Sequence, residues 1–161
     1  MAERIYQLER VTPVQNVPGT YRPMTAADQE LYIEWKMALF AEAFGEPLPR
    51  ERAERHVQLR LETPASAGGL RFWCVDGQPV SMAGYKGPTP RGIRIDPVYT
   101  PPEFRGCGYA SAVTAALSQE LLDSGRSFVF LFTDLANPTS NHIYQTIGYQ
   151  PVCDVDEYQF V

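Results

Sequence analysis

The segment Thr100-Pro-Pro-Glu-Phe-Arg-Gly-Cys-Gly-Tyr-Ala110 holds the residue types and spacing best suited to chemistry. It leaves a strand-like run, turns through Gly106 and Gly108, and opens a stretch with helical apolar spacing. A turn of this kind presents unpaired backbone N–H groups at the positive end of a helix dipole, where an anion such as a pyrophosphate is stabilised. Glycine at 106 and 108 lets the main chain take unusual dihedrals and approach phosphate oxygens with no Cβ in the way. Arg105 can add positive charge. The two glycines alone are equally compatible with a bare strand-to-helix turn.

Two common phosphate cradles do not fit. A Walker loop requires Gly-Lys-Ser/Thr, which does not occur here. A dinucleotide fingerprint needs glycine or alanine where Ser111 stands, and the next acid placed to hold a ribose, Asp134, falls too late. Cys107 invites an acyl-cysteine route at a helix N-terminus, but no histidine is placed by sequence to activate it.

Arg105-Gly-Cys-Gly-Tyr-Ala110 resembles the Arg/Gln-x-x-Gly-x-Gly/Ala motif of the GCN5-related N-acetyltransferases (GNAT). Asn137-Pro-Thr-Ser-Asn-His-Ile-Tyr-Gln-Thr-Ile-Gly-Tyr149 is similar to that family's Asn-x-x-Ala-x-x-x-Tyr-x-x-x-Gly-Phe segment, with Ser140 in place of the alanine and Tyr149 in place of the phenylalanine. Thr20-Tyr-Arg-Pro-Met-Thr-Ala-Ala-Asp28 resembles its opening strand and helix start. The likeness covers about residues 20 to 161 and is strongest from 93 to 150. The wording of the glycine loop and of the Asn137 segment looks like an uncharacterised bacterial subgroup, often with an additional N-terminal region.

The resemblance implies acetyl-CoA as cosubstrate, lying where the strand that ends near Thr100 splays from a parallel neighbour. Main-chain groups of Val98, Tyr99 and Thr100 would pair with the pantetheine arm. The loop from Arg105 through Gly106, Cys107, Gly108 and Tyr109 to Ala110, with Ser111 close by, would hold the pyrophosphate. Asn137 and Ser140 would lie along the pantetheine, and Tyr144 would sit near the sulfur as general acid. A phenol suits that task because its reference pKa of about 10 is in the range of an alkyl thiolate. The same tyrosine could instead be an amphipathic core residue.

The acceptor would be a primary amine that attacks directly, with no covalent acetyl-enzyme. Keeping a lysine-like amine neutral at pH 7 costs roughly 4 to 5 kcal/mol, so a base or water chain is expected. Asp96, Glu103, Asp134 and His142 are candidates by nearness in sequence, each with an ordinary structural role as alternative. A non-catalytic acyl-CoA-binding or regulatory module is the second reading, and a structural interaction domain the third.

The elements that must position these residues are legible. Thr25 with Asp28 starts a helix from about Ala27 to Phe44, with an expected core stripe of Ile33, Met37, Phe40 and Phe44 that Trp35, Leu39 and Ala43 widen. A second helix spans roughly Arg50 to Glu62 with Ala53, Val57 and Leu61 on one face. Leu70 to Val75 and Pro79 to Tyr85 flank Asp76-Gly77 as a hairpin. The strand from Gly92 to Tyr99 contains Pro97, which predicts an edge, a bulge or a break there. Gly108 to Leu122 reads as a helix with Ala110, Val113, Leu117 and Leu121 inward, and Phe128 to Phe132 as a buried strand. A short helix from about Thr139 to Thr146 and strands Tyr149 to Val155 and Tyr158 to Val161 complete a mixed α/β layer design. The expected fold is GNAT-like: a central, mostly antiparallel sheet with one splayed parallel pair and flanking helices. The alternating Ile5, Leu8 and Val11 read as a strand or arm followed by a linker through Pro13 and Pro18-Gly19, and residues 1–18 are expected as an N-terminal arm or linker ahead of an N-acetyltransferase domain from 19 to 161.

Composition agrees with one globular domain. The 161 residues are 44% hydrophobic and 20% charged, which excludes a disordered chain or a disulfide miniprotein. A net charge of −5 lacks the footprint of nucleic-acid binding and weakly favours a cationic acceptor. No run approaches the roughly 20 apolar residues of a membrane helix, and no secretory signal is visible, so the default location is the cytoplasm with no membrane partner. Three cysteines without C-x-x-C spacing and two histidines argue against a metal site. A homodimer is left open.

Overall fold

The computed structural model describes residues 2–156 and 158. In chain order the elements are β1 (Ala2–Leu8), β2 (Thr20–Pro23), α1 (Gln29–Phe44), α2 (Arg50–Glu62), β3 (Gly69–Val75), β4 (Gln78–Lys86), β5 (Gly92–Tyr99), α3 (Tyr109–Asp123), β6 (Phe128–Asp134), α4 (Pro138–Ile147) and β7 (Gln150–Asp156). They form one seven-stranded sheet in the order β2-β3-β4-β5-β6-β1-β7. Every neighbouring pair is antiparallel except β5 and β6, which are parallel. The mixed α/β architecture expected from the sequence is therefore present. The expected strand from Tyr158 to Val161 lies outside the described residues apart from Tyr158 itself.

Local chemistry accounts for the boundaries. Thr25 N donates to Asp28 Oδ2 at 2.8 Å, and Asp28 N donates back to the Thr25 carbonyl at 3.0 Å, which closes the chain ahead of α1. The Arg22 guanidinium grips both Asp28 carboxylate oxygens at 2.9 Å. Asp76 and Gly77 both take positive φ, 51° and 79°, as a two-residue hairpin turn of the twist-compatible kind requires.

Residues Ala2–Leu8 are not an arm. They form β1, which runs antiparallel to β6 on one side and to β7 on the other. Tyr6 and Leu8 point into the core at 0% and 1% exposure, and the chain from β6 through α4 to β7 leaves the slot that β1 fills. The alternation around Ile5 and Leu8 announced a strand, but not that its partners lie more than a hundred positions away.

Two cores flank the sheet. Val113, Leu117 and Leu121 of α3 pack with Val129, Leu131, Tyr144, Ile147 and Tyr149 on one side, together with Tyr6 and Leu8. On the other, α1 and α2 pack with Leu70, Phe72, Met82 and Tyr99. Each fully buried side chain of this size contributes roughly 1.5–3 kcal/mol. The face α1 buries overlaps the expected stripe only in part: Ile33 and Trp35 are buried as expected, but so are Tyr32 and Lys36, while Met37 and Phe40 are half-buried and Phe44 is 62% exposed. Nearly every side of α1 carries apolar residues, so its sequence leaves the buried direction undetermined until the sheet selects it.

The interruption expected at Pro97 is a bulge. Ala83 pairs with Val98 and Tyr85 with Ile95, so Gly84 alone stands opposite both Asp96 and Pro97. A Cβ on Gly84 would sit 2.8 Å from the Asp96 carbonyl oxygen, so the strands approach this closely only because residue 84 has no side chain. On the other edge of β5, pairing with β6 covers Gly92 to Arg94 and ends at Arg94 opposite Phe130, although both strands continue. The sheet opens at this point.

Candidate active site

Beyond the opening, β5 delivers the chain into the glycine loop. Gly106 and Gly108 adopt φ of 82° and 83°, the left-handed region in which a side chain is strained. The backbone amides from Gly106 to Ser111 have no hydrogen-bond acceptor among the described residues, whereas Ala112 N already donates to the Gly108 carbonyl at 3.0 Å. The last of these N–H groups belong to the first turn of α3, where the helix dipole places partial positive charge. The Arg105 amide is not among them, since it donates to the Pro102 carbonyl at 3.3 Å.

The Arg105 side chain does structural work. Its Nε donates to the Thr100 carbonyl at 2.9 Å and its Nη2 to Glu42 Oε2 at 2.6 Å. It ties the loop to α1 and is neutralised there, so the main chain supplies most of the loop's attraction for an anion. Cys107 is exposed, and its nearest polar contact is the Arg105 carbonyl at 3.9 Å. Tyr109, Ala110 and Ser111 are half-buried on the first turn of α3.

At the end of β5, Val98 is half-buried and Tyr99 is in the core. The Tyr99 ring meets Trp35 edge-on at 6.0 Å, and its hydroxyl donates to Glu42 Oε1 at 3.3 Å. Ser81 Oγ lies 2.8 Å from Thr100 Oγ1 and 3.3 Å from the Tyr99 carbonyl oxygen, which pins the strand end. Asn137 caps α4, with its Oδ1 accepting from Ser140 N at 3.1 Å. Asn141, which sequence reasoning passed over, clamps the end of β6: it accepts from Thr133 Oγ1 at 2.7 Å and donates to the Asp134 and Asn137 carbonyls at 3.1 and 2.6 Å.

Tyr144 projects from α4 into the core beside the opening. Its ring meets Tyr149 edge-on at 5.9 Å, while its hydroxyl has no hydrogen-bond partner among the described residues. The Tyr149 hydroxyl, by contrast, pairs with Ser118 Oγ at 2.7 Å. Burial, followed by the negative charge of Asp96, pushes the Tyr144 phenol well above its ordinary value, so it stays protonated.

Asp96 alone of the candidate bases reaches this region. Its Oδ2 pairs with Lys86 Nζ at 2.7 Å. Burial would raise its pKa, but the Lys86 hydrogen bond and the charges of Lys86, Arg94 and Lys36 outweigh it and hold the carboxyl below the usual range. Glu103 and His142 are exposed, and Asp134 Oδ1 caps a loop by accepting from Ala136 N at 2.8 Å. A shallow depression of about 700 Å³ between α1 and α2 touches neither the loop nor Tyr144.

A family model described as the Acetyltransferase (GNAT) family matches residues 30–149. The chain belongs to the GNAT acetyltransferase family. This supports acyl transfer, and among the described residues no helix is long and apolar enough to cross a membrane. No functionally curated protein matches the chain in sequence. Among solved structures it is similar to a putative GNAT acetyltransferase from Novosphingobium aromaticivorans, with a TM-score of 0.62 at 18% identity over 96% of this chain and 62% of that one. The GNAT chain from Kribbella flavida aligns with a TM-score of 0.65 at 19% identity over 94% of this chain and 55% of that one. The chain thus spans about three fifths of the length of these larger relatives. AAC(6')-Iy, solved with the bisubstrate analogue CoA-S-monomethyl-acetylneamine, gives a TM-score of 0.74 at 17% identity over 88% of this chain and 97% of that one. At these identities the likeness establishes the fold.

Proposed function

We propose that this GNAT domain transfers the acetyl group of acetyl-CoA to a primary amine by direct attack, with Tyr144 as the general acid. The observation that carries the reading is the run of unpartnered amides from Gly106 to Ser111 beside the gap between β5 and β6. An anion with several acceptor oxygens satisfies those donors, and the pyrophosphate of CoA is such a group. In this reading Asn137 and Ser140 lie along the pantetheine arm, and main-chain groups of Val98, Tyr99 and Thr100 pair with it.

The bound thioester supplies the electrophile. The bulge against β4 at Asp96 and Pro97 lies just past Arg94, where the pairing of β5 with β6 ends. Asp96, held ionised by Lys86, attracts the acceptor's ammonium and passes its proton to solvent, which leaves the lone pair free. As the new N–C bond forms and the C–S bond breaks, Tyr144 delivers its hydroxyl proton to the departing sulfur and is reprotonated from water. Burial keeps the phenol protonated and therefore able to donate, while making it a weaker acid than a free tyrosine.

Calorimetry with acetyl-CoA on the full chain tests the cradle, and CoA release on addition of a panel of amines tests the transfer. Saturable binding with amine-dependent thiol release is expected. Absence of binding overturns the reading, and binding without release under any amine leaves a non-catalytic acyl-CoA module.

A further inference from the structure

Beside Asp96, on the side of the sheet covered by α1 and α2, a cavity of about 170 Å³ is lined by Tyr32, Lys36, His56, Arg60, Tyr85 and Lys86 together with small and apolar groups. No carboxylate lines it. Lys36 is only 7% exposed, yet its ammonium has no hydrogen-bond or ion-pair partner among the described residues; what favours its charge there is the Phe40 ring at 5.5 Å and the more distant charge of Asp96. The side chain is buried but its ammonium opens onto the cavity, where a ligand could complete a charge that is otherwise only partly solvated.

Most of the surrounding charges have the same sign, Asp96 being the exception. Arg60 spends its guanidinium on neutral carbonyls, Nη1 donating to Gly69 and Tyr85 at 2.8 and 3.0 Å and Nη2 to Asp96 at 2.8 Å, so its positive charge is not cancelled by those bonds. Arg94, on β5 next to this region, has a buried Nε with no partner. Lys86 alone is paired, with Asp96. Burial holds His56 below its ordinary pKa, and Lys36, Arg52, Lys86 and Arg60 press in the same direction.

We propose that this cavity is the acceptor subsite and that the acceptor carries an acidic group, a carboxylate or phosphate, in addition to its primary amine. The acid enters between Lys36 and Lys86, and the amine is left facing Asp96 at the strand opening. The proposal rests on the acetyl-transfer reading and specifies its second substrate. It reverses what net charge suggests, because a chain of −5 overall places an excess of cations at this one cavity.

Paired acceptors that differ only in the acid test it. With acetyl-CoA saturating, phosphoethanolamine is compared with ethanolamine, and β-alanine with β-alaninamide, by CoA release. The acid-bearing member of each pair is expected to show at least about tenfold higher kcat/KM, a difference of the size charge-assisted contacts give. Lys36→Met should erase that ratio through KM while leaving acetyl-CoA affinity unchanged, and Lys86→Gln, at the cavity rim, should reduce it. Preference for the neutral member, or a ratio untouched in Lys36→Met, overturns the proposal.

A readout independent of turnover is an NMR titration with inorganic phosphate, resolved by residue. Shifts at Gly68 and Gly69 that vanish in Lys36→Met support the cavity even if no amine is acetylated. Shifts confined to Gly106–Ser111 overturn it and leave the acetyl-transfer reading standing. Should Lys36→Met fail to fold, Lys86→Gln and the wild-type titration decide the same question.

Discussion

Val17 closes against Gly108: a Cβ at residue 108 would stand 3.0 Å from Val17 Cγ2, whereas one at Gly106 would meet nothing within 4 Å. The segment between β1 and β2 therefore packs against the glycine loop. Gly106→Ala introduces left-handed strain of about 1–2 kcal/mol without a clash. Gly108→Ala adds the contact with Val17 and must shift one partner or the other. Urea unfolding should show Gly108→Ala as the less stable variant, and calorimetry should show weaker acetyl-CoA binding for both. Equal stability of the two, with wild-type affinity, would remove the loop from the binding site.

The Tyr144 hydroxyl makes no hydrogen bond among the described residues, so its loss removes chemistry rather than support. Tyr144→Phe should leave stability and acetyl-CoA affinity near wild type while lowering kcat by about a hundredfold, the lower end of what a general acid contributes. Turnover within a factor of two of wild type would assign the proton to another donor.

The parts of the site that depend on local chemistry were legible in the sequence, and those that depend on distant pairing were not. Pro97 announces the bulge because a proline cannot take its place in the ladder, and Asp76-Gly77 announces its turn because both positions need positive φ. Gly106 and Gly108 mark the loop for the same reason. Lys36 gives no such signal. It lies in a helix that is apolar on most sides, and only the packing of Tyr32, Ile33 and Trp35 against the sheet carries it inward. Arg60 is equally silent, since it reads as one more charge on an Arg/Glu-rich helix until its carbonyl partners on β3, β4 and β5 are known.

The N-terminal strand offers a clear discrimination between an arm and a structural element. Leu8 is 1% exposed and belongs to the same core as Val129 and Tyr149. Leu8→Ala should cost about 3 kcal/mol in chemical denaturation, as cavity-forming core truncations do. A loss below about 0.5 kcal/mol, typical of surface positions, would return residues 1–18 to the status of an appendage.

Lys36 links stability to pH in a direction that can be worked out. Burial, opposed by the charge of Asp96 and reinforced by Arg60 and Lys86, lowers its ammonium to about 8 from an ordinary 10.5. Between these values the unfolded chain binds more protons than the folded one, so this group's contribution to stability rises as pH goes from 8 to 10.5. Below the folded value the full penalty applies, roughly 3 kcal/mol as an order of magnitude. Lys36→Met should therefore be more stable than wild type at pH 7, and the gap should narrow as pH approaches 10. Unfolding curves at pH 7, 8, 9 and 10 measure this directly, and a variant less stable than wild type at pH 7 would mean that the ammonium is satisfied in the free protein. Gain of stability together with loss of acceptor selectivity is the signature of a charge kept at a cost for the ligand it meets.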